Sequence, residues 1–86
     1  MTSHATRDFW AAYHALPAKT QQLADKQYQL WRANPRHPSV RFKKVGRYWS
    51  ARVGGDIRAL GVVDGDTVIW FWIGRHDDYE RLVTSP

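Results

Sequence analysis

No cysteine occurs among the 86 residues, which removes disulfides and thiolate zinc sites as reinforcements for a small domain. Long apolar runs are missing too. The longest, Val68 to Ile73, is six residues, far short of the ~20 that a membrane-spanning helix needs. The opening residues show no charged-then-apolar leader, so secretion by a cleaved signal is not expected. No Gly-rich phosphate loop, HExxH helix or Ser-His-Asp order is present. Repeats, linkers and low-complexity stretches are likewise absent. A chain of 10.0 kDa with these absences reads as one cytoplasmic domain over residues 1–86, with no membrane partner.

The core must then come from a 43% hydrophobic composition rich in aromatics: five Trp, four Tyr and three Phe, which also argues against disorder. Thirteen Lys and Arg oppose eight Asp and Glu, giving a formal charge of +5. Nine of the thirteen are arginine, the side chain suited to bidentate phosphate contacts. Such a balance points to nucleic acid or an acidic partner protein.

The apolar spacing changes once along the chain. Thr6 is a helix cap, Asp8 suits a first turn, and Phe9, Trp10, Tyr13 and Leu16 recur at helical steps. Pro17 falls where a second helix begins, running from Ala18 to Ala33 with Leu23, Ala24, Tyr28, Leu30 and Trp31 as its apolar set. Asn34-Pro35 stops it. After Ser39 the period falls to two. A short extended piece carries Val40, Phe42 and Val45, and three strands follow at Tyr48–Val53, Ile57–Val63 and Thr67–Ile73. Gly54-Gly55-Asp56 and Asp64-Gly65-Asp66 are turns, so these strands are antiparallel neighbours. Strict alternation puts Val68, Trp70 and Trp72 on one face of the last strand, and Ile69, Phe71 and Ile73 on the other. Residues Arg75 to Val83 suit a short terminal helix or turn. The expected fold is α+β: an N-terminal helical hairpin packed on one face of a three- to four-stranded antiparallel sheet.

Three segments carry chemistry. Arg52 and Arg58 fall on neighbouring strands, and His76 follows the end of the third. Metal-free RNA cleavage needs an acid or base of suitable pKa and cations on the pentavalent phosphate; His76 supplies the first, Arg52 and Arg58 the second. Tyr79, three residues beyond His76, either assists as a proton donor or stacking ring, or plugs the core edge. Lys43 and Lys44, with Arg41 and Arg75, are cations available to RNA backbone phosphates. His76-Asp77-Asp78 holds ligand atoms, but adjacent side chains rarely meet at one ion, so neither metal nor cofactor is expected.

Several strings resemble the RelE/ParE superfamily of type II toxins: Leu16-Pro17, Asn34 to Ser39, Arg41-Phe42-Lys43, Tyr48 to Arg52, Ile57-Arg58-Ala59, and Trp72-Ile73-Gly74 followed by His76 and Tyr79. The resemblance runs from about Phe9 to Val83 and is nearest the RelE/YoeB-like branch. It implies a toxin neutralised by a cognate antitoxin that wraps over it. RelE-like members cleave mRNA, generally in the ribosomal A site, whereas ParE-like members poison DNA gyrase. The resemblance therefore implies an endoribonuclease that inhibits translation, the alternatives being gyrase inhibition or an inactive relative that only binds an antitoxin or RNA. It aligns the strand arginine of RelE-like nucleases with Arg58. It aligns the Trp-Ser-x-Arg segment of the YoeB branch with Trp49, Ser50 and Arg52, and that branch's C-terminal histidine with His76. Two positions depart from the pattern. Trp49 and Ala51 stand where RelE has a lysine pair, and no Asp or Glu occurs between Asp25 and Asp56 to match the glutamate base of YoeB. The family's first strand has little to form from, because only about five residues precede the first helix.

Overall fold

The computed structural model describes residues 1–84. Helix α1 (Arg7–His14) opens where Thr6 Oγ1 accepts the Phe9 amide at 3.1 Å, the expected cap. Helix α2 (Ala18–Ala33) has Pro17 at its N-cap, and it closes at Asn34, whose extended backbone (φ −153°) is the conformation a following proline imposes.

The sheet departs from expectation. It has five strands in the order β1-β5-β4-β3-β2 and is mixed rather than antiparallel. Strands β2 (Lys43–Val45), β3 (Tyr48–Gly54), β4 (Ile57–Asp64) and β5 (Thr67–Arg75) form an antiparallel meander. Strand β1 (Thr2–Ala5) adds to β5 in parallel. Four residues of Thr-Ser-His-Ala carry no apolar alternation, so nothing in their own pattern announces a strand. They are held by their partner: the Thr2 amide donates to Asp66 O (3.0 Å), the Thr2 and Thr67 hydroxyls bond (2.7 Å), and the Thr6 amide donates to Trp70 O (2.9 Å). The sheet edge that β5 would otherwise present is thereby paired.

A bulge corrects the expected facing of β5. Leu60 pairs with Trp72 but Gly61 pairs with Trp70, leaving Phe71 without an opposite residue. The extra residue turns Trp72 away, so the buried set is Val68, Trp70 and Ile73 rather than Val68, Trp70 and Trp72. Gly61 makes this tight crossing possible, since a Cβ there would lie 2.9 Å from Val68 Cγ1 and 3.0 Å from Ile69 O.

The main core lies between α1, α2 and the sheet. Trp31 and Trp70 meet edge to face at 5.5 Å, with Phe42 against both, over Val40, Ala51, Val53 and Ala59. Helices are not confined to that face. Helix α3 (His76–Thr84) packs on β4 and β5 with Tyr79 buried, and its residues lie with Ser50, Arg52 and Arg58, which alternate with the core-facing Ala51, Val53 and Ala59. Among the described residues no helix is long and apolar enough to cross a membrane.

Candidate active site

Period two fixes the first part of the site. Ser50 and Arg52 share the outer face of β3, and Arg58 lies directly across from Arg52 in the β3–β4 ladder. Lys43 pairs with Ser50 from the edge strand β2. The chain just before β2 turns sharply, and Arg41 there has φ +49°, an uncommon left-handed conformation for a side-chain-bearing residue. Helix α3 then brings His76 and Tyr79. The result is one hollow of about 100 Å³ lined by Arg41, Lys43, Ser50, Arg52, Arg58, His76 and Tyr79.

Of the residues expected to act together, Arg41, Lys43, Arg52, Arg58, His76 and Tyr79 converge there; Lys44 and Arg75 do not. Each excluded residue is one position out of phase with one that faces the hollow. Lys44 alternates with Lys43 and pairs with Trp49, a ring stacked on Phe42. Arg75 is exposed and ion-pairs Asp56 at 3.4 Å, bracing the β3–β4 turn. Two further groups emerge from the structure. Ser50, only 3% exposed, lines the floor, and its signal was the alternation with Arg52. Glu80 brings Oε1 to 3.6 Å from His76 Nε2, an i,i+4 pair that follows once a helix is started at His76.

The cations are unevenly engaged. Arg58 Nη1 donates to the carbonyls of Gly54 (3.3 Å), Gly55 (3.1 Å) and Ile57 (3.0 Å), which parks the guanidinium on the β3–β4 turn. Its remaining N–H groups, and the whole Arg52 guanidinium, have no partner among the described residues. No carboxylate lines the hollow. Its charge is therefore uncompensated except for Glu80 beyond His76. His76 keeps its side chain 35% exposed, while Tyr79, 8% exposed, packs its ring 5.3 Å from the imidazole. Tyr79 therefore closes the core beneath the site, whatever else it does. Among the described residues no cluster of His, Asp and Glu is arranged to hold a metal ion.

A mixed five-stranded sheet carrying two helices on one face, and a third beside a cationic hollow on the other, defines the class: the chain has the RelE/ParE-like toxin fold. Similar solved structures include a YoeB/ParE toxin from Agrobacterium tumefaciens, at 16% identity and TM-score 0.68 over 88% of this chain and 99% of that one. A chain of the RelB–RelE antitoxin–toxin complex from Methanococcus jannaschii matches at 16% identity and TM-score 0.66, covering 91% and 95%. The RelBE2 toxin–antitoxin complex from Mycobacterium tuberculosis matches at 19% and 0.65, covering 87% and 90%. No protein-family model and no curated protein sequence matches the chain.

Proposed function

We propose that this protein is the toxin of a type II toxin–antitoxin pair and acts in the cytoplasm as a metal-independent endoribonuclease on mRNA, with the ribosome presenting the substrate. The observation that carries the reading is the convergence of Arg52, Arg58 and His76, from separate stretches of chain, on one hollow without a carboxylate in its lining. A phosphodiester is the ligand class such a hollow attracts. Its negative charge draws the free guanidinium of Arg52 and the unbonded N–H groups of Arg58, while Arg41 and Lys43 engage adjoining phosphates.

In the proposed reaction the His76 imidazole accepts the 2′-hydroxyl proton as the 2′-oxygen bonds to phosphorus. The imidazolium returns that proton to the departing 5′-oxygen as the P–O5′ bond breaks. The products are a 2′,3′-cyclic phosphate and a 5′-hydroxyl end. The arginines stabilise the additional negative charge on the pentavalent phosphorus, the role in which fixed cations contribute most. The antitoxin partner is inferred from the fold: two of the similar structures are toxin–antitoxin complexes.

One observation favours a second reading, binding without cleavage. Arg58 is parked on the turn, and beside the His76 imidazole the lining has no carboxylate to serve as a second base. A gyrase inhibitor, or a relative that binds only antitoxin or RNA, needs none. Induced expression of the wild type beside His76→Ala and Arg58→Ala, with sequencing of RNA ends, separates these readings. New 5′-hydroxyl ends that vanish in both variants support the nuclease. Growth arrest with intact mRNA and altered DNA supercoiling establishes gyrase inhibition instead, and harmless expression removes both toxin readings.

A further inference from the structure

One polar residue stands in the buried stripe of α2. Ala24, Gln27 and Trp31 share a helix face at i, i+3 and i+7, and Gln27 is half-buried between two buried neighbours. The reason lies at the sheet edge. Strand β2 pairs Lys43–Val45 with Tyr48–Ser50, so from Ala51 onward β3 has no strand on that side. The Arg52 backbone is bonded there all the same. Its amide donates to Val40 O (2.6 Å), and its carbonyl accepts from Gln27 Nε2 (3.0 Å). Gln27 Nε2 also donates to Ser39 O (3.1 Å), and Gln27 Oε1 accepts from Ser39 Oγ (3.4 Å). A primary amide has two N–H donors, and both are spent on backbone carbonyls. Gln27 thus serves the β3 edge as a further ladder residue would, and ties that edge to the chain entering β2.

Both segments tied in this way carry a cation of the hollow. Arg52 projects from β3 on the outer face, and Arg41 follows the Ser39–Val40 pair at its left-handed turn (φ +49°). Neither guanidinium has a partner among the described residues, so backbone placement is what sets the two charges relative to each other. Arg58 differs, because its own Nη1 contacts hold it on the β3–β4 turn.

We propose that Gln27 is a positioning residue for the hollow: from the opposite face of the sheet, its one amide sets Arg41 and Arg52 at the spacing that a phosphodiester requires. The inference rests on the reading of the hollow as a phosphate site. Gln27 touches no substrate. It acts through the backbone of Ser39 and Arg52, and fixed cations bind and stabilise phosphate better than mobile ones because no reorganisation is needed.

The test uses the full-length protein and a 2′-O-methyl RNA oligonucleotide, which carries RNA phosphates but has no free 2′-hydroxyl to attack. Gln27→Met keeps the length of the side chain and removes its donors. At fixed salt it should weaken oligonucleotide binding about tenfold, the discrimination that charge-assisted contacts to one phosphate supply. In the Gln27→Met background Arg52→Ala should cost less than about twofold more, whereas Arg58→Ala should keep its full penalty. In the free protein the Arg52 amide should exchange with solvent about tenfold faster in Gln27→Met, with the β4–β5 ladder unchanged. Should Gln27→Met unfold, Gln27→Asn withdraws the same amide by one methylene and is read in the same way. Unaltered binding, full additivity with Arg52→Ala, or exchange accelerated evenly across the sheet would each overturn the proposal while leaving the phosphate reading intact. Wild-type protein that does not bind the oligonucleotide would refute the phosphate reading itself, and the proposal with it.

Discussion

The backbone amide of His76 donates to the carbonyl of Asp56 at 2.6 Å, tying the start of α3 to the turn between β3 and β4. The same turn receives Arg58 on the carbonyls of Gly54 and Gly55. The imidazole and the guanidinium are thus positioned from one short piece of backbone, although they lie 18 residues apart in the chain. Inserting one glycine between Gly55 and Asp56 should therefore remove RNA cleavage while circular dichroism still reports a folded sheet. Asp56→Ala, which deletes only the exposed 3.4 Å ion pair with Arg75, should change stability by no more than about 1 kcal/mol and preserve cleavage. An insertion variant that cleaves normally would break the proposed link between turn and site.

Replacing either arginine tests charge against geometry. Arg52 has a free guanidinium, so Arg52→Lys keeps its charge at the hollow, and a several-fold loss of cleavage is expected. Arg58 anchors one nitrogen, Nη1, on the turn and keeps the rest of its guanidinium for the phosphate, a division that the single nitrogen of a lysine cannot make, and Arg58→Lys should lose about as much as Arg58→Ala, on the order of 10²-fold. Cleavage rates on a model RNA, read beside unchanged thermal midpoints, check both. Equal tolerance of lysine at the two positions would mean that the turn contacts do not matter.

Tyr79 separates a packing role from a chemical one. Being 8% exposed and packed with its ring tilted against His76, it should tolerate loss of its hydroxyl: Tyr79→Phe should cleave within a few-fold of the wild type. Tyr79→Ala leaves a cavity under α3 and should cost about 3–5 kcal/mol, a large share of the stability of so small a domain. Denaturant titration measures the second, and cleavage assays the first. A Phe variant with normal stability and a hundredfold loss of activity would make the hydroxyl a chemical participant.

Much of this arrangement is legible in the sequence alone. Thr6 as a cap, the span of α2, both Gly-Asp turns and the shared outer face of Arg52 and Arg58 follow from rules that act over a few residues. What was not readable depends on partners distant in sequence. Strand β1 has no apolar alternation and exists because β5 offers it a ladder. The bulge at Phe71 leaves no mark in a run of six apolar residues, since every residue in the run suits either face. Charge alone groups Lys44 and Arg75 with the site, and the phase of their strands separates them from it. Glu80 gives no signal of its own, because its closeness to His76 requires α3 to begin at His76 itself.

Gly74 tests how far the outer face tolerates change. It pairs with Arg58, and a Cβ there would lie 2.5 Å from the Trp72 ring, which covers it. Gly74→Ala should displace that indole, costing about 1–3 kcal/mol and disturbing Arg58 through its ladder partner. A fall in thermal midpoint together with weakened RNA cleavage is expected; an unchanged midpoint would show that Trp72 moves aside freely.

The last expectation concerns alkaline pH. The phenol of Tyr13 is held above its ordinary value of 10.0, first by its hydrogen bond to Asp25, then by desolvation and the negative charge of that carboxylate. The folded state therefore binds the phenolic proton more tightly than the unfolded chain does. This contribution is complete below the ordinary phenol value, and it is lost as pH climbs through the higher folded one. Stability should fall on raising pH above about 10, and Tyr13→Phe, which has no proton to lose, should show a shallower decline than the wild type. Urea titrations of both proteins across that window measure the difference. Parallel declines would mean that the Tyr13–Asp25 bond between α1 and α2 is no stronger in the fold than the bonds of a solvated phenol to water.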